Sequence, residues 1–150
     1  MVDEANPKPK RSRPSRPQPR FEFLILADRA EVVNGKLYMM GGCWQQTWSV
    51  GFPVAYPLGL AIGMTMIPAR GKSDYRLELR LDGPQGADIQ PRALTFSRIS
   101  TPEDLPEVPA ALGVSVVAIL PSAGSYTLTA TLETGASKSV EFTVGLLHDS

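Results

Sequence analysis

Residues 21–44 read FEFLILADRAEVVNGKLYMMGGCW, and this stretch decides the fold. Asn34-Gly35 separates AEVV from KLYMM, and that dipeptide accepts φ > 0 at both central positions of a type I′ turn. A two-residue loop sets the register, with Val33 opposite Lys36 and Val32 opposite Leu37. Upstream, residues 21–27 are too apolar on both faces for an exposed edge strand. Asp28-Arg29 interrupts them and predicts a bend or bulge. Downstream, Gly41-Gly42 predicts a sharp change of direction.

Period two continues outward from this hairpin. In residues 44–50, Trp44, Gln46, Trp48 and Val50 alternate with Gln45, Thr47 and Ser49, which predicts a strand with both indoles on one face. Residues 52–57 read as a proline-bounded loop. Residues 58–67 set large side chains (Leu58, Leu60, Ile62, Met64, Met66) against small ones (Gly59, Ala61, Gly63, Thr65). The large side faces a core, and the small side leaves backbone open to close approach by another element or partner. Strands are also predicted at 75–81, 93–97, 112–120, 126–132 and 139–144, the last two forming a hairpin around Gly135. The proline-studded acidic segment TPEDLPEVP, 101–109, reads as loop. Tyr75, Leu77, Leu79, Leu128, Leu132, Val140, Phe142 and Val144 are the expected core. Gly124-x-Tyr126 before a strand fits a corner tyrosine that bonds nearby backbone. No helical period exceeds two turns. The expected fold is all-β: a single antiparallel β-sandwich, immunoglobulin-like in general architecture, with eight or nine strands. It divides into an arm at 1–20, a sandwich at 21–145 and a tail at 146–150.

The chain has 150 residues and no net charge, but the balance is uneven. Residues 1–20 carry six Lys or Arg and two Asp or Glu, a net of +4, and the remainder carries −4. Five prolines keep the arm out of helix and ladder, so it reads as disordered or polyproline II. Three roles for it stay open: a solubilising tail, a proline-rich ligand through Arg11-x-x-Pro14-x-x-Pro17, or an electrostatic tether. The tether would use Lys8, Lys10, Arg11, Arg13, Arg16 and Arg20 on a nucleic acid or other polyanion, or on a neighbouring subunit. The arm has no aromatic ring, so binding to nucleic acid would be sequence-blind. One cysteine, Cys43, excludes an internal disulfide framework. The run FEFLILA is short and interrupted by Glu22, unlike a signal peptide, and no stretch approaches a membrane span. A cytoplasmic protein is expected.

Leu26-Ala27-Asp28, Asn34-Gly35-Lys36-Leu37, Gly41-Gly42, Trp44, Pro121-x-x-Gly124-x-Tyr126 and Phe142-Thr143-Val144 resemble a family of short bacterial proteins, mostly actinobacterial, that form a domain of unknown function. The similarity spans residues 21 to about 145. Cys43 stands where that pattern favours a small residue, often glycine. The resemblance implies a compact β-sandwich and brings no activity, cofactor or catalytic residue.

The residues themselves offer little chemistry. His148, the only histidine, lies in the tail, and Cys43 has no histidine near it in sequence, so a buried, inert thiol is expected. One His and one Cys make no zinc site. Asp82 and Asp88 bracket DGPQGAD without the spacing of a calcium loop, and Glu103, Asp104 and Glu107 read as a solvated acidic loop. No metal, cofactor or catalytic residue is expected. The candidate binding residues are Trp44, Gln46 and Trp48, which on an open face would stack on a sugar ring or peptide, with Gln45 or Gln46 adding hydrogen bonds. The expected function is a non-catalytic binding or scaffolding module whose partner is a protein, itself or another. The alternative is a capsid-like or particle-associated protein whose basic arm meets nucleic acid or a neighbour. A hydrolase is the third class.

Overall fold

The computed structural model describes residues 18–67, 74–97 and 106–148. They form eleven strands and no helix: β1 Arg20–Ala27, β2 Arg29–Val33, β3 Lys36–Met40, β4 Gln46–Ser49, β5 Val54–Met66, β6 Asp74–Asp82, β7 Asp88–Gln90, β8 Ala93–Ser97, β9 Val108–Leu120, β10 Gly124–Leu132 and β11 Ser137–Leu146. Three sheets result, ordered β1-β5-β9-β7, β4-β11-β10-β6-β8, and β2-β3 by itself. One of them curls into a half-barrel. The all-β class is as expected. The strand order departs from a single antiparallel sandwich of eight or nine strands in three respects: there are eleven strands, the hairpin is a separate sheet, and β4 runs parallel to β11.

One core draws on both large sheets. Leu58, Leu60, Ile62, Met64 and Met66 meet Tyr75, Leu77, Leu79 and Leu81 of β6 and Tyr126, Leu128, Ala130 and Leu132 of β10, all buried. Arg76, Glu78 and Arg80 alternate outward, so period two located this core correctly. Val140 differs. It is half-buried, packed against the core near the open end of β11. The Tyr126 hydroxyl donates to the Ser122 carbonyl oxygen, the corner expected from Gly124-x-Tyr126.

The small face of β5 is where the hairpin lies. The chain leaves β1, bends at Asp28 and crosses the outer side of the four-stranded sheet as β2. A Cβ at Gly59 would stand 2.7 Å from the Ala30 nitrogen, and one at Gly113 would stand 2.5 Å from the Glu31 Cα. Backbone therefore rests on backbone, and Ala27, Ala30 and Ala61 are buried around it, outside the main core. In the hairpin Val33 pairs with Lys36 and Val32 with Leu37, the register expected. Asn34 and Gly35 have φ of 52° and 74°, as a type I′ turn requires. Open space surrounds Gly35, so replacing it tests backbone conformation alone. Gly35→Val is expected to lower stability by about 1–3 kcal/mol in chemical denaturation, because a β-branched residue resists positive φ. An unchanged midpoint would contradict the turn.

Three expectations about strands are corrected, and one strand, β7, was not anticipated. β1 is an edge strand despite its two apolar faces; the hairpin end covers it, with the Cys43 N–H donating to the Leu26 oxygen at 2.9 Å. β5 begins at Val54, inside the expected loop 52–57; β1 pairs with β5 only from Gly59 onward, which leaves Pro57 without a β1 partner. β9 begins at Val108, inside the expected loop 101–109, where β7 is absent and Pro109 is tolerated. β7 is three residues long, too short to show a period.

Candidate functional site

The two indoles part company before β4 begins. β4 starts only at Gln46, so strand parity does not reach back to Trp44. Trp44 turns inward, edge-on to Tyr56 (6.4 Å between centroids) and Phe142 (5.8 Å). Its Nε1 is buried and has no hydrogen-bond partner among the described residues. Cys43 itself is exposed, not buried as expected, because the left-handed turn carries its side chain outward. Within β4, Thr47 and Ser49 point in and are satisfied locally, Thr47 Oγ1 lying 2.6 Å from Tyr56 Oη and Ser49 Oγ donating to the Gly51 oxygen at 2.8 Å. Gln46 and Trp48 point out. Of the three candidate binding residues, two share a face and Trp44 belongs to the core.

That face is built by β4, β11 and β10. Gln46 lies beside Thr143, which lies beside Ser125; Glu141 lies beside Thr127; and Trp48 lies beside Gly145. A Cβ at Gly145 would stand 3.1 Å from Trp48 Cδ1 and 3.3 Å from Nε1. The pyrrole side of the indole thus rests over bare backbone, and Trp48 as a residue is 52 % exposed. One same-face step along β4 from Trp48, which does not itself line it, a shallow groove of about 400 Å³ is lined by Tyr126 and Phe142 and by six polar residues, Gln45, Gln46, Ser125, Thr127, Glu141 and Thr143. None of these six side chains hydrogen-bonds to another described residue.

The rest of the sheet face differs. Arg80 Nε sits 2.8 Å from Asp82, Arg76 Nε sits 3.6 Å from Glu78, and Thr129 Oγ1 sits 2.8 Å from Ser139 Oγ. Arg92 holds Asp88 through two bonds of 2.6 and 3.0 Å. Asp82 and Asp88 are therefore occupied by arginines, and the described residues contain no group of three or more metal-ligating side chains. The arginines and carboxylates of β6 on this half have partners; Thr131 and Ser137, like the six side chains of the groove near Trp48, have none among the described residues.

Of the expected tether, Lys8, Lys10, Arg11, Arg13 and Arg16 lie outside the described residues, as do Glu103 and Asp104. Arg20 is the first residue of β1 and not the last of the arm: it bonds Glu107 at 2.9 Å and Glu22 at 2.9 Å. The Arg20 guanidinium holds the Glu107 carboxyl below the ordinary glutamate value by hydrogen bonding and then by charge. Glu22 is lowered too, chiefly by the Thr65 hydroxyl at 2.7 Å. Stability from depressed carboxyls is present above their ordinary pKa and is lost as pH falls through the lowered values. Its size is small here, since these groups are half exposed and screened. His148 follows β11 and is exposed.

Gly145, Glu141, Thr143, Ser125 and Thr127 were not singled out by sequence reasoning. Their outward parity was legible, but their meeting with Trp48 depends on a parallel pairing between residues nearly a hundred positions apart.

Residues 22–145 match the model described as "Family of unknown function (DUF6941)". The chain belongs to DUF6941. No curated protein and no solved structure matches it. The DUF6941 span runs from Glu22 to Gly145, so it takes in the whole face around Trp48 and leaves out the cationic arm. No helix among the described residues is long and apolar enough to cross a membrane.

Proposed function

We propose that the chain is a non-catalytic binding module that holds an extended ligand on the outer face of β4, β11 and β10, with residues 1–17 as a cationic tether. The observation that supports this most is a half-exposed indole beside a groove of polar side chains that have no partners among the described residues. Exposed aromatic surface next to uncommitted donors and acceptors is the composition of a ligand site. Holding suits the face better than cleaving. Glycoside hydrolysis uses two carboxyls in concert, and among the described residues Glu141 is the one carboxylate on this face with neither an ion pair nor a hydrogen bond, Glu78 and Asp82 each being held by an arginine of their own strand and Asp74 by the Ser97 hydroxyl.

The test is a panel of neutral glycans and extended peptides offered to the wild type and to Trp48→Ala. The expected result is binding to a panel member that disappears in the variant, with the ligand recovered unchanged. Trp48→Ala should stay folded, losing about 1–2 kcal/mol for its half-buried ring. A panel in which no binding depends on Trp48 would sink the reading.

The tether has its own test. Deleting residues 1–17 removes Lys8, Lys10, Arg11, Arg13 and Arg16 but keeps the Arg20 contacts. The unfolding midpoint is expected to stay where it was. Binding to duplex DNA, used as a polyanion, should vanish; in the full chain its log–log salt slope should be no steeper than about −4.5. A truncated chain that melts markedly earlier would show that the arm belongs to the fold.

A further inference from the structure

Resting on the binding-module reading, we infer that the ligand of the Trp48 face is a neutral carbohydrate chain. Its chemistry is what the groove asks for. A pyranose ring offers an apolar C–H face to an indole and carries hydroxyls that both donate and accept. Trp48 supplies the aromatic surface. The Gln46 amide and the Thr143 and Thr127 hydroxyls can each donate and accept, and the Glu141 carboxylate accepts from two hydroxyls. An apolar ligand would strip water from these groups and return nothing. An anionic one would meet Glu141, and among the described residues no lysine or arginine lines the groove.

Length favours a chain over a single ring. Same-face residues are spaced about 7 Å apart along a strand. Gln46 and Thr143 lie one such step from Trp48, and Glu141 and Thr127 lie one further.

An added peptide strand would sit elsewhere. The Gln45 and Ser49 carbonyls of the β4 edge accept from Thr143 and Leu147 of the neighbouring segment. In a parallel ladder this turns the backbone groups of Gln46 and Trp48 toward the open edge. A peptide paired there would lie beside the sheet and leave the groove's side chains unused.

The experiment titrates neutral hexasaccharides of β-1,4-glucose, β-1,4-mannose, β-1,4-xylose and α-1,4-glucose into the full chain carrying Trp44→Phe, so that emission reports Trp48 alone. At least one is expected to saturate the signal, with an affinity that does not change between low and high salt. Calorimetry with the same sugar should show Gln46→Ala and Glu141→Gln weaker by about tenfold, Trp48→Ala weaker still, and Trp48→Tyr between Trp48→Ala and wild type. If the sugars fail while extended peptides bind in a Trp48-dependent way, the carbohydrate assignment is wrong and the binding module stands. If neither class binds through Trp48, both fall. Sugar binding that survives Trp48→Ala would also overturn the inference, by placing the site elsewhere.

Discussion

Phe142→Ala is expected to unfold with a stability lower by about 3–5 kcal/mol, the cost of truncating a fully buried phenylalanine. Phe142 is 2 % exposed and is the middle ring of three, stacked on Tyr126 at 5.5 Å and edge-on to Trp44 at 5.8 Å. Removing it takes away both contacts and leaves a hole between two large rings that cannot close on it. Urea denaturation measures the loss. Trp44 emission should shift to longer wavelength in the variant, since the indole loses its packed neighbour. A loss below about 1 kcal/mol would mean that the rings do not pack as described.

Gly113→Val is expected to cost about 3 kcal/mol, the upper part of the range for an over-packed site. The nearest atoms to an added Cβ belong to the Glu31 and Ala30 backbone, which cannot rotate away as a flexible side chain would. The hairpin must lift, and Ala27, Ala30 and Ala61 lose their cover. Amide exchange should accelerate across residues 29–40 before it does in β10. Gly51→Ala is the control: nothing lies within 4 Å of its added Cβ and its φ is not in the left-handed region, so stability should hold or rise slightly. Equal effects from the two variants would contradict the close approach at Gly113.

Much of this fold was legible because its signals are local. Asn34-Gly35 specified turn and register together, and the alternation in β6 and β10 was strict enough to separate core from surface residue by residue. The large and small faces of β5 even announced that something would approach Gly59 closely, though not that it would be the hairpin itself. The failures have three separate causes. Parity holds only inside a continuous strand, and β4 begins at Gln46, so Trp44 lies outside it and its ring goes to the opposite side of the sheet from Trp48. The apolar density of β1 pointed to an interior strand, yet a turn eventually covers its edge, and hydropathy cannot distinguish covering by a strand from covering by a turn. The groove was hidden for the third reason: its residues gather through β4–β11 pairing, which no local pattern encodes.

The account depends on one indole standing free over Gly145 while the other is packed in the core. Collisional quenching by acrylamide measures this in the ligand-free protein, using Trp44→Phe, which retains only Trp48, and Trp48→Phe, which retains only Trp44. Trp44→Phe removes a buried Nε1 donor that has no partner among the described residues, so the fold should tolerate it. The predicted result is strong quenching when Trp48 is the reporter and several-fold weaker quenching when Trp44 is. Equal quenching of the two, or stronger quenching of Trp44, would contradict the account.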